Sequence, residues 1–480
     1  MDSKQTYYIT TTLPYVNSDP HVGHAMEFVR ADASARYQRL LGKEVFFNTG
    51  TDEHGFKIYQ KAIEHGIDVQ TYVDTYALRF KDLLERLNIS YTRFIRTTDA
   101  DHQAAAQEFW IRCRDNGDIY KAVYKVKYCV GCELEKTESD LVDGKCPDHP
   151  KQELEEREEE NYFFRFSKYQ KPLLDVYAAH PDFVLPDFRF NEIKAFVERG
   201  LADFSISRLT AKMPWGVSVP EDPAHSMYVW FDALVNYVST LGWPTSDTFE
   251  TYWPVVQYAG KDNLRQQSAM WQAMLLSAGL QPSKQIIING HILGEGGVKM
   301  SKSIGNVINP FDVLDTYGTD AFRYFFLREV SSFEDSEFSW DKIKESYNAN
   351  LANGLGNLTS RIMKMAVSYD VPLTAGDMVF DIQSDEYANI RKAIESYNHT
   401  EAMDLIWERI KVLDTYVTVE EPFKKIKTDK AGAEQDLVFL QKGLYAVASL
   451  LAPYMPDTSD AIVKAIESHS LPPSLFVRKA

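Results

Sequence analysis

Cysteine is scarce: four residues in 480, too few for a disulfide framework. Long apolar runs are missing as well. The best stretch, Leu437 to Met455, is interrupted by Gln441 and Lys442 and reads as a packed helix rather than a membrane span. The N-terminus, Met1-Asp2-Ser3-Lys4-Gln5, enters a strand almost at once, which predicts no signal peptide and a cytoplasmic protein. There is no internal repeat, low-complexity tract or long Gly/Ser linker. Positive charge is in deficit: 52 Lys and Arg stand against 69 Asp and Glu, a net charge of −17. That balance favours solubility and disfavours indiscriminate binding to nucleic acid.

What is present is an alternation of strand and helix. Tyr7 to Leu13 reads as a strand. Val22, Met26, Val29, Ala33, Tyr37 and Leu40 then recur at helical spacing, and Gly42 follows as a stop. Glu44 to Asn48 is a second strand, followed by helical stretches from Tyr72 to Leu87 and from Asp99 to Arg114. The pattern changes after Asn116-Gly117-Asp118 and returns at Met227, with strands at Val255–Ala259 and Gln285–Asn289 around a helix from Asn263 to Leu280. An α/β domain with a parallel sheet, split by an insert, is expected. Its ligands should sit at the carboxyl ends of the strands. After Asn348 the chain reads as all helical.

Two short segments carry the chemistry. His21-Val22-Gly23-His24 sets two imidazoles around a glycine at a helix start, just after a strand. Lys299-Met300-Ser301-Lys302-Ser303 brings two ammonium groups and two hydroxyls, preceded by Gly294, Gly296 and Gly297. A nucleoside triphosphate held between them is the natural reading. Gly260-Lys261-Asp262 ends a strand, where Asp262 either caps a helix or binds a ligand. Cys129, Cys132, Cys146 and His149 have the spacing of a complete tetrahedral zinc set, so a structural Zn2+ is expected. Cys113 lies outside that pattern and reads as core. Glu153 to Glu160, Glu-Leu-Glu-Glu-Arg-Glu-Glu-Glu, reads as a solvated face.

The two signature segments together resemble those of the class I aminoacyl-tRNA synthetases. The likeness narrows to the methionyl-tRNA synthetase family and covers essentially the whole chain. It rests on Leu13-Pro14-Tyr15, Thr49-Gly50-Thr51-Asp52-Glu53-His54-Gly55, the cysteine insert, Glu160-Asn161-Tyr162-Phe163-Phe164-Arg165, Tyr228-Val229-Trp230-Phe231-Asp232-Ala233, and Lys299 to Asn306. The resemblance implies a Rossmann-like catalytic domain in two halves, 1–117 and 223–290. It implies a zinc-containing connective insert over 118–222, a signature-loop and stem-contact region over 291–345, and an α-helical anticodon-binding bundle over 346–480.

Site roles follow from the same likeness. His21, Gly23 and His24 would bind ATP, the histidines acting at its α-phosphate. Gly260 and Asp262 would hold the ribose. Lys299, Ser301 and Lys302 would close on the pyrophosphate, with Mg2+ arriving on ATP. Leu13, Tyr15, Trp230 and Tyr237 would line a methionine pocket, apolar and aromatic as a thioether requires. Asp52 would pair with the amino acid ammonium, supported by Arg208. Asn357 and Arg361 would read the anticodon of tRNA(Met), with Phe423 where the family usually has a stacking tryptophan. A monomer is expected.

The chain departs from the family after Gly260-Lys261-Asp262. An aromatic, a histidine and a further aromatic are replaced by Gln266, Gln267 and Met270. Methionine is still the expected substrate, with Gln267 hydrogen-bonding toward Tyr237 and Met270 keeping the wall apolar. Synthetases for leucine, valine or isoleucine are disfavoured by the short insert, which leaves no room for a large editing domain.

Overall fold

The computed structural model describes residues 5–129, 134–136, 141, 143–147, 153–298, 300 and 307–479. Its centre is a six-stranded, all-parallel sheet. In spatial order the strands are Arg93–Arg96, Glu44–Thr51, Thr6–Thr10, Val256–Gly260, Gln285–Asn289 and Val184–Leu185. The register sets Tyr8 beside Phe46 and Ile9 beside Val256. Parallel strands are covered on both faces and so read as continuous apolar runs. Tyr7 to Thr10 and Ile286 to Asn289 are buried without alternation, as this requires.

The chain begins in the middle of this sheet, builds outward on one side, and later returns to build the other. The order therefore reverses between Thr6–Thr10 and Val256–Gly260, which opens a crevice at their carboxyl ends. Thr11 to Leu13 lie beyond the end of the first strand, and this is why it is shorter than the predicted Tyr7–Leu13.

The first helix, Val22–Leu40, has the predicted bounds. It is buried nearly all round, so its polar residues need partners. Arg30 is 1% exposed and donates to Asn289 Oδ1 at 3.0 Å and to the carbonyls of Val330, Ser331 and Ser332. Asp32 accepts from Arg36 and Arg323. These bonds tie the helix to the segment from Asn289 to Ser332.

The intervening segment forms two antiparallel sheets: a four-stranded one in the order Leu134–Lys136, Ile119–Cys129, Glu155–Phe164 and Phe204–Ser205, and a three-stranded one. It also contributes the edge strand Val184–Leu185 to the main sheet. The glutamate run is a strand, not simply a solvated face. Strand alternation turns Glu159 inward, where it is 4% exposed and paired with Lys212, while Glu158 and Glu160 face Lys125 and Lys121.

The predicted helix from Asn263 to Leu280 is interrupted. It consists of a 3-10 turn at Lys261–Asn263, a π-helical turn at Gln266–Met270 and an α-helix at Trp271–Ser277. The C-terminal part is helical as predicted, its longest members being His399–Glu420 and Lys430–Leu451. A continuous apolar core joins the bundle to the sheet. Buried hydroxyls cross the same junction, Tyr7 to Tyr397 at 3.1 Å and Tyr258 to His399 Nε2 at 2.9 Å.

Candidate active site

A cavity of about 1100 Å³ opens at the crevice. Its lining brings together Leu13, Tyr15, His21, Gly23, His24, Asp52, Arg208, Trp230, Tyr237, Gly260, Asp262 and Gln267. These residues are far apart in sequence and converge because four strand ends meet here. Of the three substituted positions, only Gln267 lines the cavity; Gln266 and Met270 are not among its walls.

The two histidines cap the first helix reciprocally. His21 Nδ1 accepts from Gly23 N–H at 3.1 Å, and His24 Nδ1 accepts from His21 N–H at 3.3 Å. Their rings stack at 3.7 Å and 18°. A nitrogen that accepts from a backbone N–H carries no proton, so the neutral tautomer places the hydrogen on Nε2 of each ring. Burial and the neighbouring His21 keep His24 well below its ordinary pKa, hence neutral. The pair is thereby fixed as two Nε2–H donors at a helix N-terminus, where backbone dipoles also favour an anion. Gly23 has a further reason to be glycine: a Cβ there would lie 3.0 Å from the His21 ring.

Asp52 sits at the end of Glu44–Thr51 and is 8% exposed. Its Oδ1 is buried without a hydrogen-bond partner. Burial, and the nearby Asp232 carboxylate, push its pKa well above the usual range. A cation brought to that oxygen would relieve both effects. The flanking residues hold the segment in place. Glu53 takes a bidentate bond from Arg96 at 2.6 and 2.8 Å. His54 Nδ1 bonds to Asp232 at 2.6 Å, and His102 Nε2 bonds to the other oxygen at 2.9 Å. Burial works against ionisation of Asp232, but these two histidines hold it down to about 2. At Gly55, φ is +111° and a Cβ would fall 2.7 Å from the Tyr15 hydroxyl, so only glycine fits.

Arg208 lines the same cavity but bonds to Ser205 Oγ at 2.8 Å and Ser207 O at 2.7 Å, and lies over the Tyr228 ring. No bond from Arg208 to Asp52 is formed. Asp262 Oδ2 lies 3.2 Å from His291 Nε2. Tyr237 is buried, and its hydroxyl accepts from Gln267 Nε2 at 2.9 Å.

Sequence reasoning missed several members. Glu27 lines the cavity and accepts from Thr12 N–H at 2.7 Å and Thr12 Oγ at 2.6 Å, with burial raising its pKa. Asn289 also lines it; its Oδ1 faces Arg30, and its buried Nδ2 has no protein partner. Neither stands in a recognisable spacing. The His54–Asp232–His102 group was visible only in part, because His54 and Asp232 fall inside the motif stretches while His102 does not.

Lys299, Ser301, Lys302, Cys132 and His149 lie outside the described residues, as does the side chain of Cys129. Met300, between the signature lysines, does line the cavity. Cys146 is fully buried. Among the described residues no cluster of histidine, cysteine and carboxylate side chains could hold a metal, and no helix is long and apolar enough to cross a membrane. In the bundle, Asn357 and Arg361 lie one turn apart on the helix Asn357–Ser368, with Arg361 paired to Asp414 at 2.8 Å. Phe423 is 39% exposed.

A parallel sheet with a helix-capping histidine pair at its switch point defines the class of site, that of the class I tRNA synthetases. The family model described as "tRNA synthetases class I (M)" matches residues 7–156 and 150–363. A methionine–tRNA ligase of Thermosynechococcus vestitus is 42% identical over 95% of this chain and 89% of its own length. One from Thermotoga maritima is 40% identical over 97% and 76%. The Mycobacterium tuberculosis methionyl-tRNA synthetase bound to methionyl-adenylate superposes with a TM-score of 0.86, at 35% identity over 99% of both chains. The chain belongs to the methionyl-tRNA synthetase family.

Proposed function

We propose that this cavity activates L-methionine with ATP and that the protein then charges tRNA(Met). A methionine carboxylate oxygen attacks the α-phosphorus of ATP, and the bond to pyrophosphate breaks. The 2′-hydroxyl of the terminal tRNA adenosine then attacks the acyl carbonyl, and AMP leaves. No covalent enzyme intermediate is needed; catalysis is positioning and electrostatics.

Asp52 takes the substrate ammonium, with Arg208 in a supporting role on the cavity lining. Leu13, Tyr15, Trp230, Tyr237 and Gln267 enclose the side chain. His21 and His24 donate from Nε2 to the α-phosphate as charge builds there, and Gly23 lets the adenine approach the backbone. Gly260 and Asp262 hold the ribose. Lys299, Ser301 and Lys302 close on the pyrophosphate, and Mg2+ accompanies ATP as part of the substrate. The observation that carries this reading is the pairing, in one cavity, of two oriented Nε2–H donors with a buried carboxylate oxygen that lacks a donor.

Residues 1–117 and 223–290 act as the two halves of the catalytic domain, and 291–345 as the signature-loop region. The bundle 346–480 reads the anticodon through Asn357, Arg361 and Phe423. Within the insert 118–222, Cys129, Cys132, Cys146 and His149 would hold Zn2+. Three thiolates and an imidazole suit that ion, and the burial of Cys146 suits a closed structural site. The zinc would brace the insert and takes no part in either step. A cytoplasmic monomer is the expected state.

Charging of purified tRNAs tests the reading. Radiolabelled methionine should be esterified to tRNA(Met), and other tRNAs should remain uncharged. Equal charging of unrelated tRNAs would remove the anticodon role assigned to the bundle.

A further inference from the structure

Behind the methionine pocket runs a chain of buried amides and hydroxyls that reaches the cavity only at its last two members. Gln272 is fully buried, and its Oε1 accepts from the backbone N–H of Ser283 at 2.9 Å. A backbone N–H can only donate, so this bond fixes which end of the amide is oxygen. Gln272 Nε2 therefore donates, to Ser283 Oγ at 3.1 Å and to the Gln267 carbonyl at 2.8 Å. Ser283 Oγ then has its own hydrogen left, and gives it to Gln257 Oε1 at 2.5 Å. Gln257 Nε2 donates to Gln267 Oε1 at 3.1 Å. Gln267 Nε2 donates to Tyr237 Oη at 2.9 Å.

Every step has one direction, set at the start by the peptide group of Ser283. Its far end is the Tyr237 hydroxyl. That oxygen already accepts from Gln267, the side chains of Gln257 and Asn236 also lie in hydrogen-bond contact with it, and burial keeps the phenol protonated. Tyr237 and Gln267 both line the cavity, whereas Gln257, Ser283 and Gln272 do not. The π-helical turn at Gln266–Met270 belongs to the same device. It carries Gln267, and such turns are frequent at functional sites.

We propose that the relay Gln272–Ser283–Gln257–Gln267 locks the Tyr237 hydroxyl as a donor into the cavity, and that Gln257 and Ser283 are positioning residues for side-chain selectivity. This rests on the methionine-activating function above. A donor aimed at the side-chain end of the pocket favours a substrate with a lone pair there. A thioether sulfur is a weak acceptor; a methylene is none. The relay therefore favours methionine over its isostere norleucine, although both fill the pocket equally. Breaking it far from the substrate frees the Gln257 and Gln267 amides to turn over. The Tyr237 hydrogen can then be spent on Gln267 Oε1 instead.

The test is ATP–pyrophosphate exchange with L-methionine and L-norleucine in the wild type and in Ser283→Ala, Ser283→Thr and Gln257→Met. Ser283→Ala keeps the backbone bond to Gln272 and removes only the hydroxyl. The ratio of kcat/KM for methionine to that for norleucine should fall about fivefold in Ser283→Ala and Gln257→Met, the factor for one net hydrogen bond. Ser283→Thr should restore it, and the KM for ATP should stay constant throughout. A purely structural role would lower both substrates together and leave the ratio alone. An unchanged ratio in both folded variants of an active enzyme overturns the relay and leaves the function standing. A wild type that exchanges with neither amino acid overturns the function, and the relay with it.

Discussion

A buried carboxylate oxygen without a donor destabilises a fold by about 1–3 kcal/mol, and Asp52 carries one. The surrounding bonds of Glu53, His54 and Asp232 hold the residue where it is, so it cannot turn away to find a partner. On the proposed reading, an amino acid ammonium would complete it. Asp52→Asn should therefore do two opposite things. It should raise the KM for methionine by about 100-fold or more, as loss of a buried ionic partner does, and it should raise the melting temperature of the ligand-free protein. Exchange kinetics and thermal melting check both. A fall in melting temperature alongside the lost affinity would mark Asp52 as a structural residue instead. At this scale the identity of the histidines was readable from their motif. Their proton positions were not, because these depend on backbone N–H groups at His21 and Gly23 that only the folded helix start presents.

Helices were readable where a single periodicity ran unopposed. Val22–Leu40 has the predicted ends because apolar spacing and Gly42 agree. The helix from Asn263 was readable as helical but not as interrupted. Its π-helical turn carries Gln267, whose partners Gln257 and Tyr237 lie on the neighbouring strand and on another helix, so no local periodicity announces it. The glutamate run misled for a related reason: composition reported solvent, while strand alternation turned Glu159 inward to Lys212, a lysine 53 residues further along the chain. In the bundle, the short helix Pro422–Lys425 presents Phe423 to solvent. The ring is 39% exposed, and stacking on an RNA base, the role proposed for it, is worth about 1–3 kcal/mol. Phe423→Ala should raise the KM for tRNA(Met) by about tenfold or more and leave pyrophosphate exchange unchanged. Loss of exchange as well would show that the ring supports the fold.

Across the whole molecule, the sheet order could not be read from the chain. The edge strand Val184–Leu185 is two residues long and sits inside the insert, with no pattern to separate it from a loop. Yet the reversal of strand order between Thr6–Thr10 and Val256–Gly260 is what gathers the site, since it brings residues from both halves to one crevice. The apolar core that runs on into the bundle makes one body of the catalytic and helical parts. Overall acidity does not exclude RNA binding by such a body. It confines binding to local contacts, which salt should weaken.

The central claim is that this one cavity selects methionine and activates it on ATP. ATP–pyrophosphate exchange, measured without tRNA against each of the twenty amino acids, tests it most directly. Exchange with methionine alone is the predicted result, despite the glutamines at Gln266 and Gln267. Exchange driven by a different amino acid would contradict the account, because the cavity would then be doing class I chemistry on a substrate its walls were not read to fit.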